Sequence, residues 1–412
     1  MIVIGPRLGA YGRVWRRPAL RRVLPGLLVS ALGDGMSLVA VAWLALEIAP
    51  PGRAGIWTGL AVAAYALPAT IGAALLGRLV RRFSGAGLVA VDATLRAVAL
   101  GTIAVLAVAG LLSPVWYVTL LAVSSLLHAW GHAGAYTLIA EQVSGQDQIA
   151  GNALLSTFVQ GSVIAGPALA GALTALVGAG WVIGLDAVSF AVLAATAWPL
   201  ATRSGRPATV DERKAGAWRI IIANPSLLGL IGVTCAFFFL YGPVEVALPI
   251  HVAEGLNGSS SLLGAYWAVF GVGAVIGGLC AGLLPQRRLW LIVAAIIVGW
   301  GAALLPIALL DAVLPGMLGL AAGGLIYGPF TAITTGLFQR TTPSPALSRV
   351  LAARTALTTP SAALGTLVGG PVVTAVGSRP TLLLSGLLTI ALGLVVAPVS
   401  VLMGGRRRPD PR

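Results

Sequence analysis

The sequence predicts an all-α membrane protein with 12 transmembrane helices in two pseudo-symmetric six-helix bundles. Three observations carry that prediction. The 412-residue chain is 58% hydrophobic and only 9% charged, with a mean hydropathy of +0.96, which is too apolar for ordinary soluble domains. Its apolar residues gather into stretches of about 20, the length that crosses roughly 30 Å of hydrocarbon as a helix. Short motifs recur about 205 residues apart, the signature of a duplicated bundle.

The expected spans are 24–48, 56–77, 87–111, 115–139, 150–177 and 180–201, then 227–251, 261–284, 289–310, 314–338, 350–376 and 380–403. A basic segment precedes the first span, as in a signal peptide. The apolar run is too long for one and lacks a small-residue cleavage site, so it reads as a retained span. The second span ends in "GRLVRR" at 77–82, and the eighth in "GLLPQRR" at 282–288. The fifth holds "AGPALAG" at 165–171, and the eleventh "GGPVVTA" at 369–375. These repeats divide the chain into a basic tail (1–23), an N-terminal bundle (24–201), a connector (202–224), a C-terminal bundle (225–403) and a second tail (404–412). The connector is the only long polar interior segment, a hinge containing a short interfacial helix.

The net charge of +14 could suggest nucleic acid, but its distribution argues against that. With connections numbered alternately, one side of the membrane carries 23 of the 26 basic residues, including Arg7–Arg22, Arg78, Arg81, Arg82 and Arg406–Arg412. The opposite side has only Arg53 and Arg379, and Arg96 lies within a span. By the positive-inside rule both termini are cytoplasmic, and the excess charge suits an anionic leaflet. Arginine outnumbers lysine 25 to 1, a composition compatible with a GC-rich bacterial genome and hence a bacterial inner membrane. Cys235 and Cys280 both fall in apolar segments, so they read as packing residues rather than a disulfide. The 54 glycines suit helices that approach closely in lipid.

Several stretches together resemble the major facilitator superfamily, and within it the branch of macrolide-efflux proteins and the enterobactin exporter. They are "LGDG" in the first span, the Gly77–Arg82 turn, Asp92 and Arg96 in "VAVDATLRAVAL", "GNALLSTFVQGSVIAGPALAGAL" and "GLDAVSF". The resemblance covers essentially the whole chain. It implies alternating access by two bundles, with helices one, four, seven and ten lining a central cavity. It also marks Gly77 and Arg82 as gating positions, and Gly166-Pro167 as an antiporter-associated hinge. One departure stands out: Gly77, Leu79 and Arg82 match the family's loop motif, but Arg81 occupies its acidic position. The family's acidic latch therefore does not carry over intact.

The buried polar residues are the candidates for chemistry. Asp34 lies ten residues into its span, about 15 Å and roughly half the hydrocarbon thickness; Ser30 and Ser37 share its face. An intramembrane acid is a functional candidate, the alternative being a carboxylate capped by serines or by Arg96 for structure. Asp92 stands one turn before Arg96 on the same helical face and is expected to neutralise it. Ser124, His128, His132 and Tyr136 repeat every fourth residue in the fourth span and overlap Asp34 in depth. In the seventh span Thr234, Phe238, Tyr241 and Glu245 share a face, with Glu245 in the outer third. Asp34, Glu245, His128 and His132 are the proton-coupling candidates, because a desolvated carboxylate or a histidine can load and release a proton as access alternates. For the histidines, interhelical packing is an equal alternative.

Tyr136, Phe238, Tyr241 and Tyr327 are candidate substrate contacts. Tyr241-Gly242-Pro243 and Tyr327-Gly328-Pro329 repeat one tripeptide in helices seven and ten, where a kink beside an aromatic suits gating. Gly166, Pro167, Gly370 and Pro371 are the hinge candidates, with a generic membrane-helix kink as the bland reading. Asp186 and Glu47 lie near outer span ends and read as interfacial.

No glycine-rich phosphate loop and no His-Glu-x-x-His pattern is present. The expectation is a proton-coupled exporter of an amphipathic drug, antibiotic or secondary metabolite, ahead of an uptake permease, with a membrane enzyme or receptor more distant. Its expected partners are the lipid bilayer, protons and a small molecule. The reading includes no cofactor, metal or nucleic acid, and a monomeric chain.

Overall fold

The computed structural model describes residues 5–77, 82–143, 145–202, 215–284, 289–342 and 346–404, and every regular element among them is helical. Eleven helical segments among them are long and apolar enough to cross a membrane, two of which, Leu289–Leu309 and Val313–Thr341, each run through two consecutive α-helices. Large apolar side chains such as Leu176 (79% exposed) and Leu279 (80% exposed) stand on the outside, as lipid-facing positions require. Both cysteines are free. Chain contacts define two units, Met1–Ala49 with Ala64–Val210, and Pro50–Ala63 with Asp211–Arg412.

The first unit begins with a helix within the stretch read from the sequence as a basic tail. Helix α1 (Gly5–Arg16) leads through Arg17 into α2 (Pro18–Ile48), whose proline sits at the first helical position, where its missing N–H costs nothing. Next come α3 (Ala54–Leu75), which belongs to this unit from Ala64 onward, and α4 (Gly85–Val108); Ser84 caps the latter by accepting from the Gly87 amide at 3.2 Å. The Arg78–Arg81 stretch of the loop motif lies outside the described residues.

The fourth expected span is two helices, α5 (Pro114–Ser125) and α6 (His128–Gln142), meeting at Leu126-Leu127. Its hydroxyls account for the break: Ser124 Oγ donates back to the Leu121 carbonyl at 2.7 Å, and Ser125 Oγ to Ala64 on α3 at 3.0 Å. Such back-bonding competes with the helical ladder and bends it. The polar stripe is therefore not continuous: Ser124 is fully buried on α5, while His128 opens α6.

Helices α7 (Gln146–Val177) and α8 (Ala179–Ala201) are joined by Gly178 alone, at φ +91°. That conformation favours glycine, and its N–H donates to Thr174 O at 2.9 Å. Within this unit α2 packs on α7 and α8, and α4 on α8 and α6.

In the second unit a short helix, α9 (Ala215–Ala223), ends at Asn224, which caps α10 (Pro225–Ile250). Residues 203–214 of the connector are outside the described set. A single π-helical turn, His251–Gly255, extends α10. Helices α11 (Ser260–Cys280), α12 (Leu289–Ala303), the short α13 (Leu305–Leu309), α14 (Val313–Tyr327) and α15 (Phe330–Thr341) follow, then α16 (Leu347–Val376) and α17 (Ser378–Gly404). The tenth span breaks at Gly328-Pro329, the tripeptide where the sequence suggests a kink. Gly377, at φ +89°, joins α16 to α17 as Gly178 joins α7 to α8. The pairing also repeats: α10 packs on α16 and α17, and α12 on α17.

Glycines set the closest crossings. A Cβ on Gly166 would fall on the backbone of Gly35, and one on Gly35 would fall on the carbonyl of Ser162. Helices α2 and α7 therefore touch backbone to backbone, as small-residue interfaces in membranes do. In the second unit Gly242 meets the backbone of Gly365 and Thr366 in the same way. Gly161, five residues before Gly166 on α7, faces open space. Gly166→Ala is expected to destabilise the protein by about 1–3 kcal/mol, the usual cost of overpacking, and Gly161→Ala to leave it unchanged. Thermal unfolding of the two variants in one detergent checks this; equal midpoints would refute the backbone crossing.

Candidate functional site

The site grows from Arg96 on α4, which is 1% exposed. A guanidinium carries five donors and no acceptor and stays charged, so its surroundings must supply acceptors. Asp34, from the glycine-flanked turn Gly33-Asp34-Gly35 of α2, forms its ion pair through Nη2. Tyr65 of α3 completes a triangle: Arg96 Nη2 lies 2.5 Å from Tyr65 Oη, which donates to Asp34 Oδ1 at 2.7 Å. Arg96 Nη1 lies 2.7 Å from His128 Nδ1. Because arginine can only donate, His128 accepts there, which fixes its proton on Nε2. The guanidinium also lies over the Phe190 ring of α8, 4.3 Å from the centroid, a cation–π contact.

This geometry corrects one expectation. Arg96 is paired with Asp34, not with Asp92 one turn away on its own helix. Asp92 is 6% exposed, its Oδ1 has no hydrogen-bond partner, and neither has Arg96 Nε. A carboxylate across the helix interface meets the fork at Nη2, whereas Asp92 packs against Gly131 of α6.

Asp186 is a second correction. It is fully buried rather than interfacial. Ser37 Oγ donates to its Oδ2 at 2.6 Å, Ser189 Oγ donates to its backbone carbonyl at 2.7 Å, and Gly33 leaves the space the carboxylate occupies. Glu47, in contrast, is exposed near the end of α2.

A cavity of about 90 Å³ opens beside the cluster, with Ser30, Asp34, Asp92, His128, His132 and Tyr136 among its walls. That is room for water rather than for a drug-sized molecule, whose sites run to about 300–1,000 Å³. His132 stands between His128 and Tyr136, with ring centroids 6.5 and 5.3 Å away. Gly166 and Pro167 are buried in α7, Pro167 inside the helix. Gly77 ends the described part of the loop motif beside Trp130, and Arg82 is exposed after it.

The second unit holds its candidates separately. Glu245 accepts a hydrogen bond from Thr366 Oγ1 on α16 at 3.1 Å. One turn before it, Tyr241 meets Trp300 of α12 at 5.8 Å between centroids. Phe238 and Tyr327 join the same aromatic cluster through Phe330, at 6.3 and 5.8 Å. Gly370 and Pro371 lie within α16. Tyr65, Phe190 and Asp186 are the residues that sequence reasoning missed as site members. "GLDAVSF" contained two of them, but nothing in its periodicity said which face turns inward.

A helical membrane bundle with a buried arginine–carboxylate cluster beside a small cavity has the architecture of a polytopic transporter. The family model described as Major Facilitator Superfamily matches residues 23–366, and the chain belongs to that superfamily. It is 26% identical over 379 residues to an uncharacterised MFS-type transporter, y4rN, of Sinorhizobium fredii, covering 89% of this chain and 91% of that one. It is equally 26% identical over 398 residues to the multidrug efflux pump Tap of Mycobacterium tuberculosis, covering 90% and 91%. Among solved structures, its fold is similar to a bacterial homologue of the human lysosomal transporter Spinster, in an inward-facing, unoccupied conformation (TM-score 0.68, 12% identity, 96% and 99% covered). It is also similar to the peptide transporter POT (TM-score 0.71, 12% identity, 93% and 95% covered).

Removing one partner of the Arg96–Asp34 pair breaks the hydrogen-bonded ion pair between α2 and α4. Arg96→Gln and Asp34→Asn are each expected to destabilise the protein by about 3 kcal/mol, the low end for a broken buried pair, because the Asp34 side chain is 30% exposed. The double variant is expected to recover most of that loss. Thermal unfolding of the three variants closes the cycle; additive losses would show that the pair is not coupled.

Proposed function

We propose that this protein is a proton-driven exporter that exchanges protons for an amphipathic small molecule by alternating access. The molecule is a drug, antibiotic or other secondary metabolite, and the exporter sits in a bacterial inner membrane with both termini cytoplasmic. The carrying observation is the buried cluster of Arg96, Asp34, Asp92 and His128 beside a cavity within membrane-spanning helices. Ionisable groups are kept in hydrocarbon at high cost and mark ion or proton paths.

Two further features support the substrate class. The second unit gathers Phe237, Phe238, Phe270, Trp300, Tyr327 and Phe330 into one aromatic cluster, with Tyr241 on Trp300 and Glu245 one turn beyond. Phe237, Trp300 and Phe330 are buried and back the cluster, while Phe238, Tyr241, Phe270 and Tyr327 are half-buried; such partly open aromatic faces suit a bulky apolar or weakly cationic compound. The likeness to Tap, a protein described as a multidrug efflux pump, points in the same direction. The basic residues on alternate connections support the orientation.

Cells expressing the protein are expected to retain less ethidium, a lipophilic cation, than cells with empty vector. A protonophore is expected to abolish the difference. Fluorescence accumulation assays measure both. Greater accumulation in expressing cells would overturn export in favour of uptake, and efflux untouched by the protonophore would refute proton coupling.

A further inference from the structure

Three carboxylates lie within electrostatic reach of one guanidinium in the first unit: Asp34 from α2, which is paired with Arg96, Asp92 from α4 and Asp186 from α8. Were all three ionised, the cluster would hold two uncompensated negative charges in the membrane. Their surroundings differ. Asp34 has the ion pair and a hydrogen bond from Tyr65. Asp186 has a short hydrogen bond from Ser37. Asp92 is 6% exposed, with Oδ1 unpartnered, yet it lines the cavity. An ionised carboxylate with an unsatisfied oxygen at that depth costs several kcal/mol, and protonation removes most of that cost.

A second observation stands one turn away. Arg96 Nε is buried and likewise makes no hydrogen bond. An unused acceptor and an unused donor thus sit four residues apart on α4, the spacing at which side chains meet. We propose that Asp92 is the proton-binding carboxyl of this cluster, and that its protonation decides whether Arg96 is held by Asp34 or drawn back onto Asp92. With the proton on Asp92, the guanidinium has one carboxylate to serve, the arrangement seen in the structure. When the proton leaves to cavity water, the new carboxylate accepts the Nε–H of Arg96 and competes with Asp34. Asp34 and Tyr65 are loosened, and with them the hold of α4 on α2 and α3. Reprotonation reverses each step.

The other groups facing Asp92 suit this role. His128 on α6 is occupied as acceptor for Arg96, so it neither neutralises Asp92 nor takes its proton while that bond lasts. His132 lines the same cavity and offers a relay to water, while α7 contributes Leu155, Phe158 and Val159, all apolar. Gly131 gives Asp92 its berth, since a Cβ there would occupy the carboxyl position. Asp34, the acid at the membrane midplane, becomes the arginine's counter-ion instead of the proton carrier.

The inference rests on the exporter reading only for its consequence in transport. Infrared spectra of the purified protein in lipid nanodiscs, titrated from about pH 5 to about pH 9 across the range of carboxyl and histidine titration, test it directly. Wild type is expected to show a titrating C=O band of a protonated carboxylic acid that Asp92→Asn removes and that Asp34→Asn moves to lower pH, because Arg96 is then left to Asp92. A spectrum unchanged in Asp92→Asn would overturn the proposal. Should that isosteric variant not fold, modification of the wild type with a hydrophobic carbodiimide, which attacks protonated carboxyls, decides by peptide mass spectrometry. An adduct on Asp92 upholds the proposal, and its absence there overturns it. In proteoliposomes, Asp92→Asn is expected to lose the response of ethidium efflux to an imposed proton gradient. A wild type that moves no ethidium would refute the exporter reading while leaving the infrared result to decide the role of Asp92.

Discussion

A guanidinium 1% exposed within a membrane-spanning helix has no water to fall back on, and the first unit is organised around satisfying it. Arg96 draws Asp34 from α2, Tyr65 from α3, His128 from α6 and Phe190 from α8. Four helices are thereby tied to α4 by contacts that are directional, unlike the apolar packing around them. In lipid, helices gain nothing by hiding apolar surface from one another, so directional contacts and close backbone approach specify the bundle. Both meet at Gly33-Asp34-Gly35. Gly35 lets α7 come in against the backbone, Gly33 makes room for Asp186, and the residue between them reaches Arg96.

The same framework appears in the second unit with different chemistry. Gly242 occupies the crossing of α10 with α16 as Gly35 occupies that of α2 with α7. The residue before each glycine is Asp34 in one case and Tyr241 in the other. Asp34 pairs with Arg96 on α4, and Tyr241 meets Trp300 on α12. Tyr241 and Trp300 lie 207 and 204 residues beyond their counterparts, so one slot in a duplicated fold holds an ion pair in the first unit and an aromatic pair in the second. Backbone crossings persist because they constrain Cβ atoms, while the adjacent side chain is free to change.

How much of this the sequence discloses depends on the kind of constraint. Apolar stretches gave the spans because hydrocarbon enforces length and composition on each helix by itself. The repeat was visible because Gly and Pro hold fixed backbone places, as Gly178 and Gly377 do between α7 and α8 and between α16 and α17. The break in the fourth span was not visible, because it depends on Ser125 finding a carbonyl on α3. The pairing of Arg96 was misjudged for a related reason. Asp92 is its neighbour along the helix, and local spacing cannot reveal that Asp34 approaches from another helix in better geometry. Asp186 was assigned to the interface by counting residues from a span end, whereas its burial follows from which face of α8 turns towards α2.

These misses share a physical origin. Sequence periodicity reports how a helix meets an average environment, and a buried ionic cluster is the opposite of average. Its members are single residues on separate helices, each unfavourable alone and tolerable only together. A carboxylate that would be costly on α4 by itself becomes useful when Arg96 is within reach but already committed, because a bound proton then has an energetic consequence at a distance. Tyr65 and His128 add to this by holding Arg96 in a definite arrangement, so that a change at Asp92 can redistribute a pair of bonds instead of blurring a diffuse one. Alternating access needs an element with two discrete arrangements, and one arginine among competing acids supplies one at the cost of a single buried charge.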